Sequence, residues 1–279
     1  MTQTIKRAKQ ALWNRYHELN PDIKFNTKGY IETSKYEDYI GACRHNLLQP
    51  EWMELILKDY EEGDGNELEL KFRAVHSSSA LVANHFARFK KDPGQLVILD
   101  HSGFNCVDLE KKLPTGLEGI PPNLDVFFEN RNVSIALESK LLETLSPEVL
   151  SFDPKYDKKD LPYCEPQWLD FIKPASSSPK TYFHIAQLVK HYLGLINYTQ
   201  GKPNHKPILL YLYWEPVNAQ QIKEYQIHRM EVNNFRDRVV GSRVEFISMS
   251  YPELWEAWSK ETILADHARK LIDRYCVTI

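Results

Sequence analysis

Apolar positions in the first sixty residues recur at three- and four-residue steps. Ile5, Ala8, Leu12, Tyr16 and Leu19 predict a helix over 4–20, which Pro21 stops. A second helical stretch covers 36–60 and breaks near Gln49-Pro50, where proline suits the first turn of a restarted helix. Gly63-Asp64-Gly65 then interrupts the pattern and divides a helical extension over 1–62 from a domain over 63–279. From Glu67 the positions Leu68, Phe72, Val75, Val82, Phe86 and Phe89 keep helical spacing. Ser77-Ser78-Ser79 either lies inside one long helix or supplies the N-cap of a second, ALVANHFARF.

After Pro93-Gly94 the period shortens. QLVIL and FNCVDLEKKL read as strands leading into a hairpin at 121–140, PPNLDVFFENRNVSIALESK. LDVFF and VSIAL are rich in β-branched and aromatic residues, and Glu129-Asn130-Arg131-Asn132 makes a turn of about four residues between them. With that turn central, Asp125 falls opposite Ala136 and diagonal to Glu138. Side-chain alternation gathers Asp125, Glu138 and Lys140 on one face and turns Ser139 away. Residues 146–180 are irregular and proline-rich, and following directly on Lys140 they are expected to border whatever the hairpin does. Ile185, Leu188, Val189, Tyr192, Leu193 and Ile196 form a full helical stripe, with Gly201 as its terminator. PILLYLYW, 207–214, is a continuous apolar run, the mark of a strand buried on both faces. A helix at about 218–239, a strand VEFISM and a C-terminal helix with Trp255, Trp258 and Leu271 complete the chain.

Composition narrows the class. With 279 residues, 42% hydrophobic and 26% charged, the chain is an ordinary globular protein of one large domain or two small ones. No run approaches the roughly 20 apolar residues of a membrane span. The opening MTQTIKRAKQALW lacks the apolar core of a signal peptide, so a cytoplasmic location is expected. Cys43, Cys106, Cys164 and Cys276 lie far apart without paired spacing, which argues against a zinc knuckle or a disulfide framework. A net charge of −3 gives no global attraction for nucleic acid, although a basic groove can sit on an acidic chain.

The hairpin carries the chemistry. Diagonal neighbours on a hairpin face lie roughly 7–8 Å apart, close enough for two carboxylates to share one cation. Asp125 and Glu138 would offer hard oxygen ligands to Mg²⁺, or to Mn²⁺, while Lys140 orients a water or offsets charge on a pentavalent phosphate. A Glu-x-Lys tripeptide alone is weak, being expected by chance roughly once in a chain this long. It recurs here as Glu69-Leu70-Lys71 and Glu110-Lys111-Lys112. Only Glu138-Ser139-Lys140 ends an apolar strand and follows a second strand that bears an acid.

The order helix, three strands, helix, strand resembles the core of the PD-(D/E)xK nuclease superfamily. Asp125, in Pro122-Asn123-Leu124-Asp125, stands where that family has its "PD" aspartate, with two residues inserted between proline and acid. Glu138-Ser139-Lys140 matches the (D/E)xK step, and Gln187 in HIAQLVKHYLGL is similar to the glutamine that several branches carry on the next helix. GNELELKFRAVHSSSALVANHF resembles the opening helix of a bacterial restriction-endonuclease-like branch, which makes Glu67, or Glu69 in its place, an early acid of the metal site. The resemblance covers roughly residues 63–215. It implies an α/β fold with a mixed central sheet, and Mg²⁺-dependent endonucleolytic hydrolysis of double-stranded DNA. Asp125, Glu138, the Ser139 carbonyl and Glu67 would hold the metal, Lys140 would position the water and Gln187 would orient the shell. A homodimer stays open.

Each residue also has a plain structural reading. Asp125 could cap a loop, Glu138 and Lys140 could guard an exposed strand edge, Gln187 could flank an amphipathic helix and Glu67 could serve a helix dipole. His76, His85, His184 and His191 read as surface or satisfied core histidines, since no His-x-x-x-His pair occurs. Ser77–Ser79 lack a Gly-x-Ser-x-Gly elbow, and no Gly-rich phosphate loop is present. Lys155, Lys158 and Lys159, and Arg236, Arg238 and Arg243, are candidates for backbone-phosphate contacts or else solvated charge. The rival to a nuclease is an inactive member of the fold that binds nucleic acid or protein, and an RNA or structure-specific nuclease would use the same residues.

Overall fold

The computed structural model describes residues 2–279 except 37, 64–65, 158–160, 162, 173–178 and 203. Helix α1 (Gln3–Leu19) starts where the Thr2 hydroxyl accepts the Ile5 N–H and ends ahead of Pro21. The second helical stretch divides at Pro50 into α2 (Tyr39–Arg44), capped by Asp38, and α3 (Met53–Glu62), entered through a single 3-10 turn. The third divides as well. Helix α4 (Glu67–Leu70) is one turn, and α5 (Ser78–Phe86) begins afresh because the Ser77 side chain accepts the Ala80 N–H.

Strands β1 (Cys106–Lys112), β2 (Asn123–Glu129) and β3 (Val133–Lys140) follow. The short β4 (Glu148–Val149) and β5 (Lys180–Thr181) pair with each other around α6 (Pro166–Ile172). Then come α7 (Ile185–Tyr198), β6 (Lys206–Tyr213), α8 (Lys223–Val239) and β7 (Glu245–Ser250), and α9 (Tyr251–Lys260) and α10 (Ala265–Tyr275) close the chain. The main sheet runs β1-β2-β3-β6-β7. Its first three strands are antiparallel, whereas β3–β6 and β6–β7 are parallel, giving a mixed α/β sheet compatible with a restriction-endonuclease-like fold.

Two cores flank the sheet. On one face Val126, Phe128, Ile135 and Leu137 pack with Ile5, Ala8, Leu12, Met53 and Ile56, so the helices within 1–62 share one core with the strands. On the other, Phe127, Ala136, Leu209 and Tyr211 pack with Trp168, Leu188, Tyr192 and Phe235 from α6, α7 and α8. The run PILLYLY lies in β6 and, with Trp214 after it, is buried throughout, as a strand between two parallel neighbours requires. Among the described residues no helix is long and apolar enough to cross a membrane.

Three expectations change. QLVIL is not a strand: Leu96 and Ile98 are buried, but Leu99 and Asp100 take φ 51 and 61, and Ile98 and His101 exchange backbone hydrogen bonds across that reversal. The C-terminal helix is two helices, broken where the Leu264 N–H returns to the Glu261 carbonyl and drives Leu264 into the core. The hairpin register is also shifted. The Asn130 side chain accepts the N–H groups of Asn132 and Val133, and the Asn130 N–H donates to the Val133 carbonyl, which shortens the tip to Arg131-Asn132. Phe127 therefore faces Ala136, and continuing the ladder sets Asp125 opposite Glu138 rather than Ala136.

Candidate active site

At the far end of the hairpin the ladders fail. Pairing between β2 and β3 stops at Val126↔Leu137, and the Ser139 N–H donates instead to the Asp125 carboxylate at 2.6 Å. Between β1 and β2 the register runs through Leu109↔Val126 and Lys111↔Leu124 but skips Glu110 and Asp125. Glu110 takes φ 52, a left-handed conformation a non-glycine residue adopts only under constraint. The face alternation slips there: Leu109 and Val126 enter the core under α5, whereas Leu113 and Leu124 enter the core under α7. Two carboxylates are thus turned together beside Glu138. Asn123 Nδ2 donates to Glu110 at 3.0 Å.

Glu138 and Lys140 lie on β3, whose residues are all buried and which has strands on both sides, so the edge-guard reading does not hold. Lys140 Nζ donates to one Glu138 oxygen and, at 2.7 Å, to Gln187 Oε1. His191, four residues and one turn along α7 from Gln187, donates through Nε2 to the other Glu138 oxygen at 2.7 Å. Its Nδ1 is buried without a partner among the described residues. Ser139 turns to the opposite face and meets the Tyr251 hydroxyl at 2.7 Å.

The electrostatics divide these acids. Burial pushes Asp125 well above the ordinary carboxylate range, Glu138 and Glu110 push it further, and Lys140 and the Ser139 N–H only partly oppose them. Burial raises Glu110 to about 7, against the Asn123 hydrogen bond, with Glu67 and Glu138 adding repulsion. Burial acts on Glu138 too, but Lys140 and His191 outweigh it and hold this carboxyl below its usual value. Burial acts to lower Lys140, and the charges of Glu138 and Asp125 overcome it and raise the ammonium pKa. Lys140 is therefore a cation at neutral pH.

Asp125, Glu110, Lys140 and Gln187 open onto a cleft of about 670 Å³ that also exposes Glu67, Ser79, Glu143, Lys155 and Lys190, while Glu138 lies fully buried behind them. Glu67 accepts from Ser79 Oγ at 3.1 Å and lies 3.4 Å from Lys71 Nζ, while Glu69 is exposed and absent from the lining. Lys155 lines the cleft; Lys158 and Lys159 lie outside the described residues. Arg236, Arg238 and Arg243 do not line it. Arg238 stacks on Phe171 at 3.9 Å, Arg243 donates to the Thr199 carbonyl and Arg236 pairs with Asp237. Two members are not marked by the sequence pattern. Glu110 sits in one of the recurrent Glu-x-Lys tripeptides, though a strand antiparallel to LDVFF has to put some residue opposite Asp125. His191 reads as a surface or satisfied core histidine, and the signal for it is its position one turn beyond Gln187.

The donor chemistry suits a hard divalent cation: carboxylates raised by burial, with mutual repulsion added, are the groups a dipositive ion would ionise. Among the described residues, no three His, Cys, Asp or Glu side chains stand close enough as placed to hold one. Coordination would therefore need Asp125, Glu110 or Glu138 to exchange one of its present hydrogen bonds.

The family model described as restriction endonuclease associating with ARP matches residues 8–276, and the chain belongs to that family. Its name points to a nuclease-type function on nucleic acid. No curated protein and no solved structure matches the chain.

Proposed function

We propose, proceeding from that membership, that the protein is a metal-dependent endonuclease that hydrolyses DNA phosphodiester bonds in the cleft beside the hairpin. The observation that carries this reading is the meeting of Asp125, Glu110, Glu138, Lys140 and Gln187 where the β1–β2–β3 ladders part. Asp125 and Glu138, with the Ser139 carbonyl, are the groups that would hold Mg²⁺ or Mn²⁺; Glu110 and Glu67 stand on the same wall. The bound ion would polarise a phosphate oxygen and acidify a water.

The remaining roles belong to the chain. Lys140, cationic and anchored by Glu138 and Gln187, would align the attacking water and offset the negative charge that grows on the phosphoryl oxygens. Because its pKa is raised, it orients the water rather than taking its proton. Gln187 restrains the ammonium, and His191 restrains Glu138. Lys155 and Lys190 on the rim would meet flanking phosphates.

The test is cleavage of supercoiled and linear duplex DNA by wild type, Asp125→Ala and Lys140→Ala in Mg²⁺, Mn²⁺ and EDTA. Metal-dependent cutting that falls by about 10³-fold or more in each variant is expected. An Asp125→Ala protein that cuts like wild type, or a folded, metal-replete wild type that cuts nothing, would overturn the reading, and the latter would favour an inactive binding module.

A further inference from the structure

The cleft does not end at the carboxylates. Lys71, Ser78 and Glu143 line both the cleft and a second hollow of about 460 Å³. Lys9 and His76 in turn line that hollow and a third, of about 580 Å³, which reaches Lys6, Trp13 and Lys28. Adjoining at these shared residues, the three hollows follow one another from the hairpin to helix α1 and are treated together as a groove.

Its chemistry changes along the way. The cleft gathers acids, whereas the two outer hollows present Lys6, Lys9, Lys28 and Lys71 with Glu143, at the junction, as their only acidic lining residue. On a chain of net charge −3 this segregates positive charge. Among the described residues the side chains of Lys6, Lys9 and Lys28 make no ion pair, although the charge of Glu143 acts on Lys9. Between the lysines stand rings: Trp13 and Phe25 in the outer hollow, Tyr30 in the middle one and His76 in both.

The rings are fixed before any ligand arrives. Trp13 stacks on His17 at 5.2 Å and meets Phe25 edge-on at 5.5 Å, while Tyr30 contacts the His76 ring at 6.3 Å. Lys28 rides a turn held by the Asn26 side chain, which accepts the N–H groups of Lys28 and Tyr30. Burial and the neighbouring Lys9 lower His76 to about 4, so its ring is neutral at neutral pH. Lysines spaced along a groove with half-exposed aromatic rings between them suit a phosphate backbone whose bases have left their stack, because duplex bases hide their π-faces from side chains.

We propose that this groove binds a single-stranded nucleic-acid segment continuous with the phosphodiester in the cleft, its phosphates on Lys6, Lys9, Lys28 and Lys71 and its bases against Trp13 and Tyr30. The inference rests on reading the cleft as a phosphodiesterase site, and it assigns to that site a substrate with an unpaired flank.

The experiment is fluorescence anisotropy of a labelled oligothymidylate and of a duplex of equal length, in EDTA so that no cutting occurs. The combined Lys6→Ala, Lys9→Ala and Lys28→Ala variant should bind the single strand at least tenfold more weakly. Its slope of log K against log salt should be shallower by about 2, three phosphates at about 0.7 each. Trp13→Ala, checked by thermal melting, should lose roughly tenfold with the slope unchanged. Unchanged single-strand binding in the lysine variant overturns the proposal, as does a duplex bound as tightly as the single strand through the same lysines. Binding reads the groove and cutting reads the cleft, so a failure of either is distinguishable from a failure of the other.

Discussion

Strand β3 is paired in opposite ways on its two sides. Toward β6 every residue from Val133 to Lys140 has a parallel partner, and the facing run Pro207–Tyr213 is buried. Toward β2 the ladder stops at Val126↔Leu137, and a side-chain carboxylate takes the next backbone N–H. The regular side buries apolar surface and fixes the strand. The irregular side spends that rigidity on holding repelling acids together beside a lysine, an arrangement stable only because the rest of the sheet imposes it.

One substitution on each side of β3 should separate stability from cutting. Leu210→Ala on β6, fully buried, is expected to cost about 3 kcal/mol of unfolding free energy, read from the urea midpoint, while leaving cutting per folded molecule near wild type. Asp125→Asn should do the reverse, shifting stability by less than about 1 kcal/mol because the amide oxygen still accepts the Ser139 N–H, yet abolishing cutting. A large stability loss in Asp125→Asn would mean that the acid is structural.

A smaller effect tests the link between the two sides. His191→Ala leaves a Glu138 oxygen buried without its donor, so a loss of about 2 kcal/mol is expected, with Mn²⁺ binding weakened 10- to 100-fold in a direct titration. His191→Gln should recover part of both. Mn²⁺ affinity that stays at the wild-type value in His191→Ala would confine His191 to packing.

The smallest effect has a defined sign. Glu110 ionises at about 7 in the folded protein instead of its ordinary 4.5, so the fold retains a proton that the unfolded chain releases. Its contribution is complete below pH 4.5 and declines as pH rises toward 7. In EDTA, Glu110→Gln should therefore melt like wild type at pH 4 and be more stable by about 1–2 kcal/mol at pH 8, a figure reduced for water in the cleft. Parallel melting profiles from pH 4 to pH 8 would show that neither burial nor repulsion raises Glu110.

Much of the frame was legible because it depends on local pattern. PILLYLYW announced a strand buried on both faces, the stripe from Ile185 to Ile196 announced α7, and the hairpin placed an acid beside Glu138-Ser139-Lys140. QLVIL misled because an apolar run reports burial and not the φ of Leu99 and Asp100. The Ser77–Ser79 run allowed two helices or one, and a single hydroxyl on the Ala80 N–H decided between them.

Local pattern along the chain is enough to tell which residues must leave water, where helices and strands alternate, and that an acid, a second acid and a lysine lie within reach of one another. Those properties follow from side-chain period and composition, which act over a few residues at a time. It takes the assembled fold to set Asp125 against Glu138 and not Ala136, to bring Glu110 to them, to let Gln187 and His191 grip Lys140 and Glu138 from α7, and to turn Glu67 rather than Glu69 to the cleft. Each depends on register, on one left-handed residue or on a helix crossing a sheet. Such relations join residues far apart in the chain, and their energies come from burial and from charges brought close together, neither of which exists until the strands have paired.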